Sequence, residues 1–118
     1  LIRKFCISIG LLQPGDSRDV VVDILKLFME KRKTREMITS RFIEDEVKNK
    51  RSSGIAGSNI RRQILRLERI GLVERIGRVY RLKEFSDLKT LMVEYIKPFL
   101  IDPTFSRILE YAEELDNV

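Results

Sequence analysis

Hydrophobic residues recur at intervals of three and four along most of this chain, the spacing that predicts amphipathic helices. An apolar N-terminal segment occupies residues 1–16. The first helix is predicted to follow it, beginning at a cap formed by Asp16 or Ser17, and a second, shorter helix to begin at Thr39 or Ser40. These elements predict a helical first half.

In the middle of the chain the hydrophobic pattern changes from helical spacing to the alternation of β-strands. Residues 58–70 predict a third helix with Ser58 as its cap, and residues 72–82 predict a tight β-hairpin. In the expected register Glu74 faces Arg81, an opposite-charge pair that favours this pairing of the strands.

Two further helices are predicted in the C-terminal segment, 84–118. Pro98 lies near the expected end of the fourth helix, where a proline can kink or terminate it. Asp102 and Pro103 form a cap and first-turn signature for the fifth. The sequence therefore predicts a mainly α fold with a small β-hairpin and two C-terminal helices.

The composition excludes several kinds of metal, catalytic and disulfide site. The 118 residues include no histidine and one cysteine, Cys6, so Cys/His zinc sites, His-based triads and an internal disulfide are excluded. A lone thiol in an apolar segment is typical of a reducing cytosol, and we expect a cytoplasmic location. The 35% of charged residues is typical of thermophile proteins. No apolar run reaches the roughly 20 residues of a membrane span.

We also expect no catalytic activity, metal, cofactor or small-molecule ligand. The acidic run Glu44-Asp45-Glu46 could in principle hold a metal, but three consecutive helical residues point in three directions. It is better interpreted as an exposed acidic face. These features predict a binding protein rather than an enzyme.

Cations are concentrated in the middle of the chain. Residues 48–81 contain ten Lys and Arg residues and two acids, a net charge of +8, compared with +1 for residues 1–47 and −4 for residues 82–118. Solubility alone favours a mixed-sign surface, so the alternative of a merely solvated charged face fits less well. The middle segment is therefore expected to bind nucleic acid.

A helical wheel divides the third helix into two faces. Ile60, Ile64 and Leu67 form one apolar stripe, while arginines and short polar side chains occupy the opposite side. Arginine can fork onto guanine edges or phosphates, and asparagine can pair with adenine. The helix is thus suited to bind a duplex with its polar face.

This part of the sequence resembles the winged helix-turn-helix transcriptional regulators, in particular small archaeal and bacterial members. The resemblance covers about residues 17–83, which the family would fold as a winged-helix domain. It rests on the apolar spacing of the third helix, on the run that leaves it and on the hairpin: Ile60, Ile64, Leu67, Ile70-Gly71-Leu72-Val73-Glu74-Arg75, Gly77 and Val79-Tyr80-Arg81-Leu82.

In that family the third helix enters the major groove and the wing contacts the backbone or minor groove. The resemblance therefore implies that residues 58–70 read the major groove and that residues 72–82 form the wing. It implies a sequence-specific double-stranded DNA-binding protein, a transcriptional regulator. By residue, it implies base reading by Ser58, Asn59, Arg61 and Arg62, phosphate contacts by Arg66 and Arg69, and wing contacts by Arg75 and Arg78.

One feature departs from the family pattern. The connector 48–57 is a few residues longer than the usual compact turn, and it carries Lys48, Lys50 and Arg51. Either these cations add phosphate contacts, or the second and third helices are arranged differently.

The C-terminal helices carry more apolar surface than a small winged core can cover. We expect a homodimer built from these helices and the N-terminal segment, 1–16; the alternative is that one stripe packs on the domain. The candidate interface residues are Leu88, Met92, Tyr95, Phe99, Phe105, Ile108, Leu109 and Ala112.

Two other functions fit the same pattern. A replication or plasmid-maintenance factor would use the same DNA-binding residues. A winged-helix assembly module would instead dock on another protein, and it would show no affinity for random duplex at low salt.

Overall fold

The computed structural model describes residues 1–13, 19–50 and 55–118. The predicted caps Asp16 and Ser17, and the predicted phosphate contact Arg51, lie outside these ranges. The described chain is mainly helical with a small three-stranded antiparallel sheet. This confirms the predicted fold class in its coarser form.

Four helices form the first part of the fold: α1 (Ile2–Ser8), α2 (Val20–Thr34), α3 (Ser40–Lys50) and α4 (Gly57–Arg69). The last three correspond to the predicted helices, whereas the sequence pattern did not predict α1. The predicted cap of α3 is confirmed at Thr39, whose Oγ1 accepts a hydrogen bond from the Phe42 backbone N–H at 3.1 Å.

The N-terminal segment packs on the domain. α1 contacts α2, and the segment contributes Cys6, Leu11 and Leu12 to the hydrophobic core. Burial raises the pKa of the Cys6 thiol, which therefore stays protonated. The described part of this segment is thus a core element of its own chain.

Three strands form the sheet: β1 (Ile38–Thr39), β2 (Val73–Ile76) and β3 (Val79–Leu82), in the order β1-β3-β2. The β2–β3 register confirms the predicted hairpin, with Glu74 opposite Arg81. Arg81 Nε donates to Glu74 Oε2 at 2.6 Å. β1 is a further strand that sequence alternation could not predict, because it contains two residues.

The core lies between α2, α3, α4 and the sheet. Its fully buried side chains include Phe28 of α2, Ile43 of α3, Ile60 and Leu67 of α4, and Leu82 of β3. Burying each large apolar side chain contributes about 1.5–3 kcal/mol relative to leaving it in water. This packing anchors α4 by one face and leaves the other at the surface.

A continuous helical rod follows the sheet. It comprises α5 (Leu88–Leu91), a π-helical stretch (Met92–Ile101) and α6 (Asp102–Asp116), joined by residues with helical backbone angles. The predicted fifth helix is confirmed as α6, which begins at Asp102, but the expected break between it and the preceding helix was wrong. The wide turns of the π-helix accommodate Pro98, which lacks an N–H, and Asp102 binds Lys97 instead of capping a new helix.

The base of the rod is tied to the end of the hairpin. Asp87 caps α5 by accepting a hydrogen bond from the Thr90 N–H at 2.7 Å, which holds the pKa of Asp87 below its ordinary value. Lys83 Nζ lies 4.2 Å from the centre of the Tyr95 ring. Tyr95 Oη in turn donates to Glu84 at 3.2 Å. These contacts fix how the rod leaves the sheet.

Candidate nucleic-acid interface

The outward face of α4 is a stripe of exposed side chains. Ile60, Ile64 and Leu67 are buried, as the helical wheel predicted. The stripe comprises Ser58, Arg61, Arg62, Leu65 and Arg69, which lie three or four residues apart except for the adjacent pair Arg61 and Arg62.

Ser58 belongs to this stripe rather than to a cap. α4 begins one residue earlier than predicted, and its N-cap is Ala56, with no side-chain hydrogen bond. The prediction of Ser58 as the cap was therefore wrong. Its hydroxyl lies on the exposed first turn.

Arg61 is held in place by a carboxylate of α3. Its Nη1 donates to Glu44 Oε1 at 2.6 Å, and the side chain of Glu44 is 15% exposed while that of Arg61 is 57% exposed. Gly57 makes room for this pair: a Cβ there would lie 3.1 Å from Arg61 Nη1 and 3.2 Å from Glu44 Oε2. The guanidinium is thus anchored at one end and accessible from solvent.

A second row of polar side chains lies on the flank of α4. Asn59 Oδ1 accepts from Gln63 Nε2 at 3.4 Å, and Gln63 Oε1 accepts from Arg66 Nη1 at 3.0 Å. Arg66 Nη2 then donates to the Gly10 carbonyl at 3.2 Å. The structure therefore places Asn59 and Arg66 in a row that ties α4 to the N-terminal segment, beside the exposed stripe rather than on it.

A groove of about 330 Å³ lies between the start of α3 and the tip of the hairpin. Three arginines line it: Arg41 from the first turn of α3, and Arg75 and Arg78 from the hairpin. Within the described ranges none of the three has a carboxylate partner, and all are exposed. Such a cluster favours an anionic ligand.

The groove and the stripe of α4 are connected through α3. Arg41 and Glu44 lie three residues apart and therefore share one helix face, and Glu44 contacts Arg61 of α4. One surface thus runs from the hairpin tip over the start of α3 to the exposed face of α4. We call this the basic strip, comprising Arg41, Arg61, Arg62, Arg69, Arg75 and Arg78.

Lys48 and Lys50 lie on the last turn of α3 rather than in a connector, because α3 extends to Lys50. Both are exposed. Cations in this position interact favourably with the carbonyl end of the helix dipole. Their placement gives each a structural role in addition to any contact with an anion.

Glu74 of the hairpin is ionised and paired with a cation of the same hairpin, Arg81. Although burial opposes ionisation of Glu74, hydrogen bonds from the Glu84 backbone N–H and from Arg81 hold its pKa below the ordinary value. Arg81 also lies over the Phe85 ring, with its guanidinium carbon 4.8 Å from the ring centre. Glu74 and Arg81 therefore stabilise the base of the hairpin and leave Arg75 and Arg78 at its exposed end.

The residues predicted for a dimer interface divide into two groups. Leu88, Met92 and Tyr95 are half-buried and pack against the core of their own domain. The others are exposed on the outer part of the rod: Phe99, Phe105, Ile108, Leu109 and Ala112.

Two residues of this surface, Arg41 and Glu44, were not predicted from the sequence. Arg41 carried a local signal, because a cation in the first turn of a helix is unfavourable to the helix dipole and points to another role. Glu44 carried none, since its partner Arg61 lies 17 positions along the chain.

Among the described residues, no helix is long and apolar enough to cross a membrane, and no cluster of three acidic, His or Cys side chains could hold a metal ion. Comparisons with protein-family models, curated proteins and solved structures found no match to this chain.

Proposed function

We propose that this chain binds double-stranded DNA sequence-specifically as a winged-helix transcriptional regulator, with α4 in the major groove and the β2–β3 hairpin as the wing. The observation that carries this proposal is the basic strip, a single exposed surface on α4, α3 and the hairpin. The order helix, strand, helix, helix, hairpin and the β1-β3-β2 sheet are compatible with that fold.

Affinity and specificity would come from different parts of the strip. Arginines that neutralise phosphates release counterions, which supplies a sequence-independent and salt-dependent attraction. Arg41, Arg75 and Arg78 suit this role because together they line one groove. Ser58, Arg61 and Arg62, on the first turns of α4, suit base reading because the start of a recognition helix reaches the groove floor.

The flanking row receives a different assignment from the one that the family resemblance implied. Arg66 is bonded to the Gly10 carbonyl and Asn59 to Gln63, so we assign both to the support of α4. Arg69 remains a phosphate candidate, since it is exposed at the end of the stripe.

The test begins with selection of preferred duplexes from a random pool, followed by titrations of selected and scrambled duplexes at several salt concentrations. Because Arg62→Ala removes a base contact, it should weaken binding to the selected duplex by about 10-fold or more and binding to the scrambled duplex much less. Arg78→Ala should weaken both and reduce the salt slope by about 0.9.

Lys89→Ala is the matched control, because it removes an exposed cation from the rod, outside the basic strip. It should leave both affinities nearly unchanged. Equal losses on both duplexes for Arg62→Ala would overturn the base-reading role. Absence of any binding to random duplex at low salt would overturn the DNA-binding proposal and favour a protein-assembly module.

A further inference from the structure

The outer part of the rod leaves the domain without a packing partner. Among the described residues, the extensive contacts of α6 are with the helical stretch that it continues, and every residue of α6 except Thr104 is exposed. The molecule measures 54 Å along its longest axis and about half of that across. A monomer would therefore hold this helix in water.

The exposed apolar residues follow the spacing of a coiled-coil seam. Starting from Ile101, they recur after four, three, four and three residues, the heptad alternation that brings one face of a helix against a second helix. We call this set the α6 seam: Ile101, Phe105, Ile108, Ala112 and Leu115. The four large side chains of the seam are 51% to 74% exposed.

The seam has the area of a stable interface. With Leu109 and Tyr111 on its flanks, the surface exposes about 700 Å² of side chain per copy, if a fully exposed large side chain contributes about 200 Å². A standard interface buries about 800 Å² per partner, and monomers rarely expose so large an apolar patch. Pairing of two such faces would cover the patch.

Charge decides the direction of pairing. The last two turns of α6 carry Glu110, Glu113, Glu114 and Asp116 and no cation. Parallel pairing would place two acidic ends side by side. Antiparallel pairing about the middle of α6 instead keeps the two acidic ends apart, because residues 110–116 then lie along residues 100–106 of the partner, where the one acid, Asp102, is already paired with Lys97.

We propose that the α6 seam pairs with the seam of a second copy of this chain, antiparallel and about a two-fold axis near the middle of α6. This narrows the interface to the outer rod: Leu88, Met92, Tyr95 and the described part of the N-terminal segment pack within their own chain. The two domains would project from opposite ends of a helix pair about 22 Å long, at 1.5 Å per residue. The pairing does not depend on DNA binding.

The first experiment measures the mass of the full chain in solution without DNA. The parent chain should show twice the 13.9 kDa chain mass at micromolar concentration. Ile108→Glu should raise the dimer dissociation constant at least about 100-fold, because it buries a charge without a partner. Val93→Glu is the control: Val93 is 61% exposed but lies outside the seam, so this variant should remain dimeric.

Folding can be monitored separately, since α6 is exposed in the single chain. Ile108→Glu should keep the circular dichroism of a folded helical protein. A monomeric parent chain at tens of micromolar, or dimerisation unaffected by Ile108→Glu, would overturn the proposal.

The second experiment tests direction by disulfide cross-linking of single substitutions. Ile108→Cys, near the middle of the seam, should cross-link to its counterpart, whereas Leu115→Cys, near its end, should not. Cys6 is fully buried and provides no background. Cross-linking of both variants would indicate parallel pairing and overturn the antiparallel arrangement; cross-linking of neither would overturn the seam itself.

Discussion

The pair between Glu44 and Arg61 allows a prediction with opposite effects on two measured affinities. Glu44→Gln removes the carboxylate that holds the Arg61 guanidinium at 2.6 Å. The arginine side chain is more than half exposed, so this ion pair contributes about 0.2–1 kcal/mol to folding and the variant should stay folded. Differences in binding can then be attributed to the interface.

Release of Arg61 should strengthen binding to random duplex. A guanidinium that is free to bind one additional phosphate steepens the dependence of log affinity on log salt by about 0.9, which corresponds to roughly five- to tenfold tighter binding near 0.1 M salt. The same release should weaken base reading, because an oriented arginine fork contributes about 1–3 kcal/mol of discrimination between bases. The ratio of selected to random affinity should therefore fall by about 10-fold.

Asp45→Asn provides a control with the same change in charge one residue away. Asp45 is exposed and has no ion pair within the described part of the chain. Its substitution should raise both affinities by a similar factor and leave their ratio unchanged. Fluorescence anisotropy titrations of all three proteins over a salt series would measure both quantities, and a Glu44→Gln variant that behaved like Asp45→Asn would refute the positioning of Arg61.

Two further predictions concern the stability of the scaffold. Gly71 follows α4 with a φ of +92°, a backbone angle that residues with a side chain rarely adopt. Gly71→Ala should therefore lower the free energy of unfolding, measured by urea denaturation, by about 1–2 kcal/mol. An unchanged free energy of unfolding would contradict this backbone argument. The pKa of Glu74 is held below its ordinary value of 4.5 in the folded chain. At a pH between these two values the unfolded chain binds more protons than the folded chain, so the free energy of unfolding decreases as the pH falls. Glu74→Gln should therefore cost about 1 kcal/mol at pH 7 and less below pH 4, and equal losses at both values would argue against a contribution from ionised Glu74.

Sequence patterns predicted the elements whose signals are local. The alternation of residues 72–82 and the Glu74–Arg81 pair fixed the hairpin register, and the wheel of α4 identified its buried and exposed faces. Contacts distant in sequence were not predictable in this way. Glu44 on Arg61 and Gly10 on Arg66 join residues 17 and 56 positions apart.

The rod shows a different limit of sequence reasoning. Pro98 and the Asp102-Pro103 pair both carry local stop or start signals, yet the backbone stays helical through them. A π-helical stretch tolerates the missing N–H of Pro98, and side-chain bonding of Asp102 to Lys97 replaces capping. Local propensity therefore indicates where the helix could end but does not decide whether it ends there.

The contacts at the base of the rod have a consequence for the spacing of any DNA target. Lys83, Glu84 and Tyr95 fasten the rod to the strand end, and Arg32 of α2 donates to the Phe85 carbonyl at 3.2 Å. Because the rod leaves the hairpin at one angle, two chains joined through α6 would hold their DNA-binding surfaces at a fixed distance and orientation. Such a protein would recognise two half-sites at one separation and one helical phase, and would measure DNA length as well as sequence.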